Sequence, residues 1–158
     1  HDTVRILELA GGDIERLKRA LLFQMTFVGA PHIYYGDEIA MAGGRDPDNR
    51  RPFNWNWERN NKAVEMRGFY QELLRLRKSC QLFTEGEFAF LEVPDGMLAW
   101  ERYDSSASVK VVLNLSTVTR EYRPEHGAER IFSLGGLGEE GSVWHLKPGA
   151  AVVWHLEH

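Results

Sequence analysis

The chain has 158 residues and a formal net charge of -4, with ordinary apolar and charged fractions. That suits one domain, or a small domain plus part of another, and argues against general affinity for nucleic acid or anionic membranes. One cysteine, Cys80, excludes an intrachain disulfide and is compatible with a reducing compartment without proving one; a cytoplasmic location is the expectation.

The opening "HDTVRILELAGGD" is neither a signal peptide nor a start with Met, and the closing "LEH" resembles the beginning of a purification tag. An excised piece of a longer protein is therefore expected, with residues 156–158 left out of fold reasoning. Asp13 can cap a helix running to Val28, with Glu15 suited to its first turn. Ile14, Leu17, Leu21, Leu22, Met25 and Val28 recur at helical spacing, and Phe23 and Phe27 make the second half apolar nearly all round. Gly29 and Pro31 end it. "HIYY" reads as a short buried strand stopped by Gly36, and a second helix is expected from Asn61 to about Cys80, with Met66, Phe69, Tyr70, Leu73 and Leu74 inward.

From Leu82 onward no helical period survives. "GEFAFLEV", "MLAWERYD", "SVKVVLNL", "TREYRP", "ERIFSL", "SVWHL" and "AAVVWHL" are short alternating runs, separated by turn signals such as Pro94-Asp95-Gly96. The expectation is an α+β chain: helix–strand–loop–helix over residues 1–80, then a small antiparallel sandwich over 81–155. A lone strand between two helices cannot form a sheet, so the first part reads as the end of a larger α/β array.

Between "HIYY" and the second helix lies "GDEIAMAGGRDPDNRRPFNWNW", too rich in Gly and Pro for a helix and too irregular for a strand. Asp46 and Arg50 stand four residues apart, an offset that brings a carboxylate and a guanidinium together on one helical turn. Such a pair can merely pin a loop, worth about 0–1 kcal/mol if exposed. It can also clamp a polyol, because carboxylates accept from vicinal hydroxyls and guanidinium donates to ring and hydroxyl oxygens. Trp55 and Trp57 can stack on sugar faces or anchor into a core. The dipeptide His1-Asp2 taken alone is a strand end with a polar turn. The scattered His32, His126, His145 and His155 build no metal set with it, and no metal or other cofactor is expected. There is no G-x-S-x-G, and "GGLGEEG" lacks the Lys-Ser/Thr of a phosphate loop.

The order "HDT…LLFQMTFVGAPHIYYGDEIAM…DPDNRRP", a helix ending "LLRLRK" and a strand-rich tail with "GMLAWERYD…VKVVLNLS" resembles the C-terminal part of the alpha-amylase family, glycoside hydrolase family 13. Within it, the likeness is greatest to neopullulanases, cyclomaltodextrinases and maltogenic amylases. The resemblance implies the last βα units of a (β/α)8 barrel followed by a C-terminal β-sandwich. It implies hydrolysis or transfer at α-1,4 or α-1,6 glucosidic bonds, with α-glucan or cyclodextrin as substrate. It implies that Asp2 is the third catalytic carboxylate, which binds hydroxyls of the reacting sugar and favours its distorted form, and that His1 contacts the same sugar. Asp46 and Arg50 then hold glucose units toward the non-reducing end.

The nucleophile and general acid of the family lie upstream of His1, so the chain alone is expected to be inactive. Asp37 and Glu38 are adjacent and cannot flank one bond, which makes them structural. The rival expectation is a carbohydrate-binding or purely structural module. A binding module presents aromatics on one sandwich face, whereas a structural one buries Trp100, Trp144 and Trp154. Loss of barrel neighbours would leave the edge of "HIYY" and the inner helix stripes bare, so self-association as a dimer is expected.

Overall fold

The computed structural model describes residues 1–158, which divide into two compact units: His1–Met25 with Gly29–Arg75, and Thr26–Val28 with Leu76–His158. The first unit begins with a one-turn helix, α1 (Ile6–Leu9). Helix α2 (Ile14–Thr26) follows, capped as expected: the Asp13 carboxylate accepts the Arg16 N–H at 3.0 Å. Its Leu17, Leu21, Leu22 and Met25 are buried, while Val28 lies beyond the helix end and is exposed, contrary to its placing on the inner stripe. Helix α3 (Asn61–Ser79) buries Ala63, Met66, Phe69, Tyr70, Leu73 and Leu76 at helical spacing. Asn60 caps it, its side-chain oxygen accepting the Lys62 N–H at 3.0 Å. The inner stripes of both helices are thus covered, which removes bare helix faces as a motive for association.

"HIYY" is not a strand. Its carbonyls are taken by partners other than a ladder: His32 O accepts from Gln24 Nε2 at 2.8 Å, Tyr34 O from the Asp37 N–H at 3.0 Å, and Tyr35 O from Arg5 Nη1. A strand without neighbours has nothing to pair with, and local side chains satisfy it instead. The chain then turns through Gly36, at φ 88°, into a 3₁₀ turn at Asp37–Ile39. Further 3₁₀ turns occupy Asp48–Arg50 and Trp57–Arg59.

The second unit opens with α4 (Leu82–Glu85), a single helical turn where no helix was expected, too short to leave a period in the sequence. Eight strands follow: β1 (Glu87–Phe90), β2 (Met97–Tyr103), β3 (Ala107–Asn114), β4 (Arg120–Tyr122), β5 (Glu129–Leu134), β6 (Leu137–Glu140), β7 (Val143–Leu146) and β8 (Ala151–Glu157). They form a five-stranded sheet ordered β1-β2-β3-β8-β5 and a three-stranded sheet ordered β4-β7-β6, antiparallel throughout. Seven of these strands fall on the runs expected from alternation. The exception, β6, lies in "LGEE", whose three exposed residues give no apolar alternation to read. Leu156 and Glu157, set aside as a tag remnant, continue β8 in register, opposite Ser108 and Ala107.

One core joins residues of the two sheets: Ala99, Val112, Val152 and Trp154 from the larger, Trp144 and Leu146 from the smaller. Trp100, Trp144 and Trp154 are all buried, which meets the expectation for a structural role and not for a binding face. Arg102 is buried among carbonyls, its guanidinium donating to Phe83 O at 2.7 Å, Gly86 O at 2.6 Å and Glu87 O at 3.2 Å. Burial lowers its pKa from the ordinary value.

Candidate functional site

The residues singled out in the sequence lie in the first unit, in two short stretches: His1–Thr3 and the loop from Gly36 to Asn60. Asp2 projects into solvent, its side chain 85% exposed, and its Oδ1 lies 3.1 Å from His1 Nε2. The main chain around it is held firmly. Asn49, fully buried, donates both hydrogens of its side-chain amide, to His1 O at 2.5 Å and Thr3 O at 2.8 Å. The two carbonyls flank Asp2.

Asn49 sits inside "DPDNRR", between the other pair of candidate residues. Asp46 and Arg50 form an ion pair through Oδ1 and Nη2, both largely exposed, so the four-residue offset does bring them together. Asp48 and Arg51 form a second pair, at 2.6 and 2.9 Å, and the Asp48 carboxylate also accepts the Gly44 N–H at 2.6 Å. Arg51 and that N–H hold the Asp48 carboxyl below its ordinary pKa. Asp48 therefore closes the loop on itself, whereas Asp46 and Arg50 reach outward.

Arg5, only 2% exposed, ties the pieces together. Its Nε donates to Asn49 O at 2.7 Å, its backbone N–H to Gly43 O at 2.9 Å, and its Nη1 to Tyr35 O and, at 3.2 Å, to the Asp37 carboxylate. Its guanidinium lies over the rings of Tyr34 and Tyr35, 4.4 and 4.5 Å from their centroids. Burial pushes the Asp37 carboxyl above its ordinary pKa, against the pull of Arg5. Glu38 accepts the Gly36 N–H at 2.7 Å. Both acids are thus engaged in holding the loop, although they stand in a 3₁₀ turn and not after a strand. Gly43 passes so close to this hub that an added Cβ would lie 2.8 Å from Asp48 O, 2.9 Å from Asn49 Cα and 3.0 Å from Arg5 Cγ.

Arg5, Asn49 and Asp48 were not among the residues expected to matter. The available signal for Arg5 was a lone charge between Val4 and "ILEL". For Asn49 it was a neutral amide in a run of charges. Neither reveals a partner 44 to 48 positions away.

A cleft of about 530 Å³ opens elsewhere on the same unit, lined by Tyr35, Glu38, Phe53, Trp55, Trp57 and Arg67. Trp55 is 82% exposed and packs edge-on against Phe53, ring centroids 4.8 Å apart, so it is no core anchor. Trp57 is half-buried, with the Arg67 guanidinium 5.0 Å from its ring centroid. No cluster of three or more His, Cys, Asp or Glu side chains is placed to hold a metal ion, and no helix is long and apolar enough to cross a membrane.

Residues 1–77 match the family described as "Alpha amylase, catalytic domain". A cyclomaltodextrinase from Thermoanaerobacter pseudethanolicus is 38% identical over 155 residues, 97% of this chain and 27% of that protein. Neopullulanase 2 from Thermoactinomyces vulgaris is 42% identical over 116 residues, 72% of this chain and 20% of that protein. Among solved structures, the debranching enzyme of Nostoc punctiforme superposes with a TM-score of 0.81 at 26% identity, covering 99% of this chain and 34% of that one. The chain thus spans about a quarter of the length of the curated relatives it matches.

Proposed function

We propose, from the premise that this chain belongs to the alpha-amylase family of glycoside hydrolases through residues 1–77, that it is the C-terminal part of a retaining enzyme acting on α-glucans or cyclodextrins. Residues 1–80 are the last units of the (β/α)8 barrel and 81–155 a C-terminal β-sandwich. Active sites of such barrels lie on the rim at the C-terminal ends of the strands. The sites are therefore His1-Asp2 and the loop that carries Asp46 and Arg50.

The observation that carries this reading is an exposed carboxylate, beside the His1 imidazole, on backbone held by a buried amide. Asp2 is exposed while the carbonyls on either side of it are pinned by a buried amide. Asp2 would accept hydrogen bonds from sugar hydroxyls, more strongly as the ring distorts toward the oxocarbenium-like transition state. His1 contacts the same sugar. Asp46 accepts from, and Arg50 donates to, hydroxyls of glucose units further toward the non-reducing end. Retaining hydrolysis also needs a nucleophile and an acid about 5 Å apart, and these are assigned to segments upstream of His1. The buried Trp100, Trp144 and Trp154 favour a structural over a binding role for the strand-rich unit.

Two assays test the proposal. The chain alone, incubated with cyclodextrin, pullulan and starch, should release no reducing sugar; turnover co-purifying with it through several columns would overturn the assignment of the missing groups. In a longer protein carrying the upstream catalytic region, Asp2→Ala should lower kcat far more than it raises KM, and Asp46→Ala or Arg50→Ala should mainly raise KM for longer substrates. The reverse pattern would exchange the roles.

The dimer expected from the sequence rests better on the cleft around Trp55 than on helix faces or a strand edge. Trp55, exposed beside Phe53, offers apolar surface that a second copy can cover. Light scattering at micromolar concentration should show a dimer that Trp55→Ser weakens. A wild-type monomer would sink that part. A cytoplasmic location is retained as part of the proposal.

A further inference from the structure

We infer that Asn49 is a positioning residue that couples the two sugar-contacting pairs, His1-Asp2 and Asp46-Arg50, into one binding unit; the inference rests on the α-glucan reading of those pairs. Asn49 commits its amide nitrogen fully to this link, although its Oδ1 has no partner. It is fully buried, yet sits one residue from Arg50 and three from Asp46. Its amide has two N–H donors, and both are spent on the carbonyls either side of Asp2. Its main-chain carbonyl receives Arg5 Nε, and the Arg5 backbone N–H donates to Gly43 O, six residues earlier in the same loop. A displacement of the loop therefore moves Asp2, and the reverse.

Such a link matters because a glucan that bridges two subsites binds with full strength only if both are held at the right separation before it arrives. Freedom between them must otherwise be removed on binding, which costs affinity. The link depends on donor count, which gives a graded test. Asn has two donors, Ser has one on a shorter arm, and Asp at neutral pH has none and sets a carboxylate against two carbonyl oxygens.

The experiment uses the 158-residue chain with maltotriose as the probe, its Kd taken from NMR titration. Asp2→Asn and Asp46→Asn are made singly and together, in the Asn49, Asn49→Ser and Asn49→Asp backgrounds. With Asn49, the double variant should depart from the product of the single losses by about three- to tenfold, as interacting sites do. The departure should shrink in Asn49→Ser and vanish in Asn49→Asp. Coupling that persists in Asn49→Asp overturns the inference.

Backbone ¹⁵N relaxation of the same samples gives a readout that needs no sugar. The order parameter of the Asp2 amide should fall from about 0.85 toward 0.6 or below in Asn49→Asp. It should hold in Arg51→Ala, which keeps the amide but breaks the neighbouring ion pair. An Asp2 amide equally rigid in both variants also overturns the inference. A wild-type chain that fails to bind maltotriose overturns the glucan reading, and relaxation still decides whether Asn49 holds the dipeptide. Asn49→Ser, the milder change, keeps both arms readable if Asn49→Asp does not fold.

Discussion

Each unit of the molecule buries one arginine, and the two are used differently. Arg102 meets backbone carbonyls of Phe83, Gly86 and Glu87, fastening the turn of α4 and the start of β1 to β2. Arg5 meets carbonyls too, but adds the Asp37 carboxylate and two tyrosine faces, and its partners lie on three separate stretches of irregular chain. Sheets carry their own ladder of hydrogen bonds and need a buried cation only at a corner. A loop without a ladder needs the cation at its centre. The exposed charged side chains Asp2, Asp46 and Arg50 sit where order is supplied by side chains: the backbone there takes shapes that regular structure forbids, and it is still held.

That contrast can be broken most forcefully at the arginines themselves. Arg102→Met strands the buried Phe83 carbonyl and removes the donor from the part-buried Gly86 and Glu87 carbonyls, so a stability loss of about 1–3 kcal/mol is expected in urea denaturation. Arg5→Met should cost a similar amount and also abolish maltotriose binding, because loop and dipeptide lose their common anchor. If Arg5→Met destabilises the chain but leaves the Kd of the remaining folded protein unchanged, the two arginines are equivalent and the contrast is empty.

A stability effect of similar size is expected at Gly43. Gly43→Ala forces a Cβ to within 2.9 Å of main-chain atoms that cannot rotate away, and should cost about 1–3 kcal/mol, read as a shift of the urea midpoint. A neutral result would mean that the loop is looser around Arg5 than the hydrogen bonds imply. Gly68, on α3 with open space where its Cβ would be, is the control and should gain slightly from Ala.

The finest distinction is electrostatic. Asp48 has a depressed pKa from Arg51 and the Gly44 N–H, so its folded-state contribution is present above the unfolded value near 3.8 and is lost as pH falls through the lower folded value. Asp37 is shifted the other way by burial. Its folded form binds the proton more tightly than the unfolded chain does, so across the window above 3.8 stability rises as pH falls. Carboxyl ¹³C titration should place the two midpoints on opposite sides of 3.8. Midpoints on the same side would show that the Arg5 and Arg51 environments are alike.

How much of this was legible in the sequence follows the same division. In the strand-rich unit, alternation and turn residues located seven strands, and the pairing of Trp100 with Glu101 placed the tryptophan inside. Period-two patterns are local, and a sheet reads them directly. The two long helices were equally plain, down to the Asp13 cap, whereas the single turns α1 and α4 left no period to read. "HIYY" failed because an apolar run of four is compatible with a strand, while its fate depends on Arg5, Gln24 and Asp37 elsewhere in the chain. The four-residue offset of Asp46 and Arg50 foretold their ion pair, while their assignment to a sugar site came from the family resemblance. Asn49 and Arg5 act across more than forty residues, and no window of sequence contains both ends of those bonds.

One consequence of the Asn49 amide concerns how such a site can change. Both of its bonds go to main-chain oxygens, which are present whatever side chains occupy positions 1 to 3. The support is therefore blind to the identity of the residues it supports. A library randomised at His1, Asp2 and Thr3 should keep the backbone trace while varying the head groups offered to solvent. Frame and head group are physically separable here.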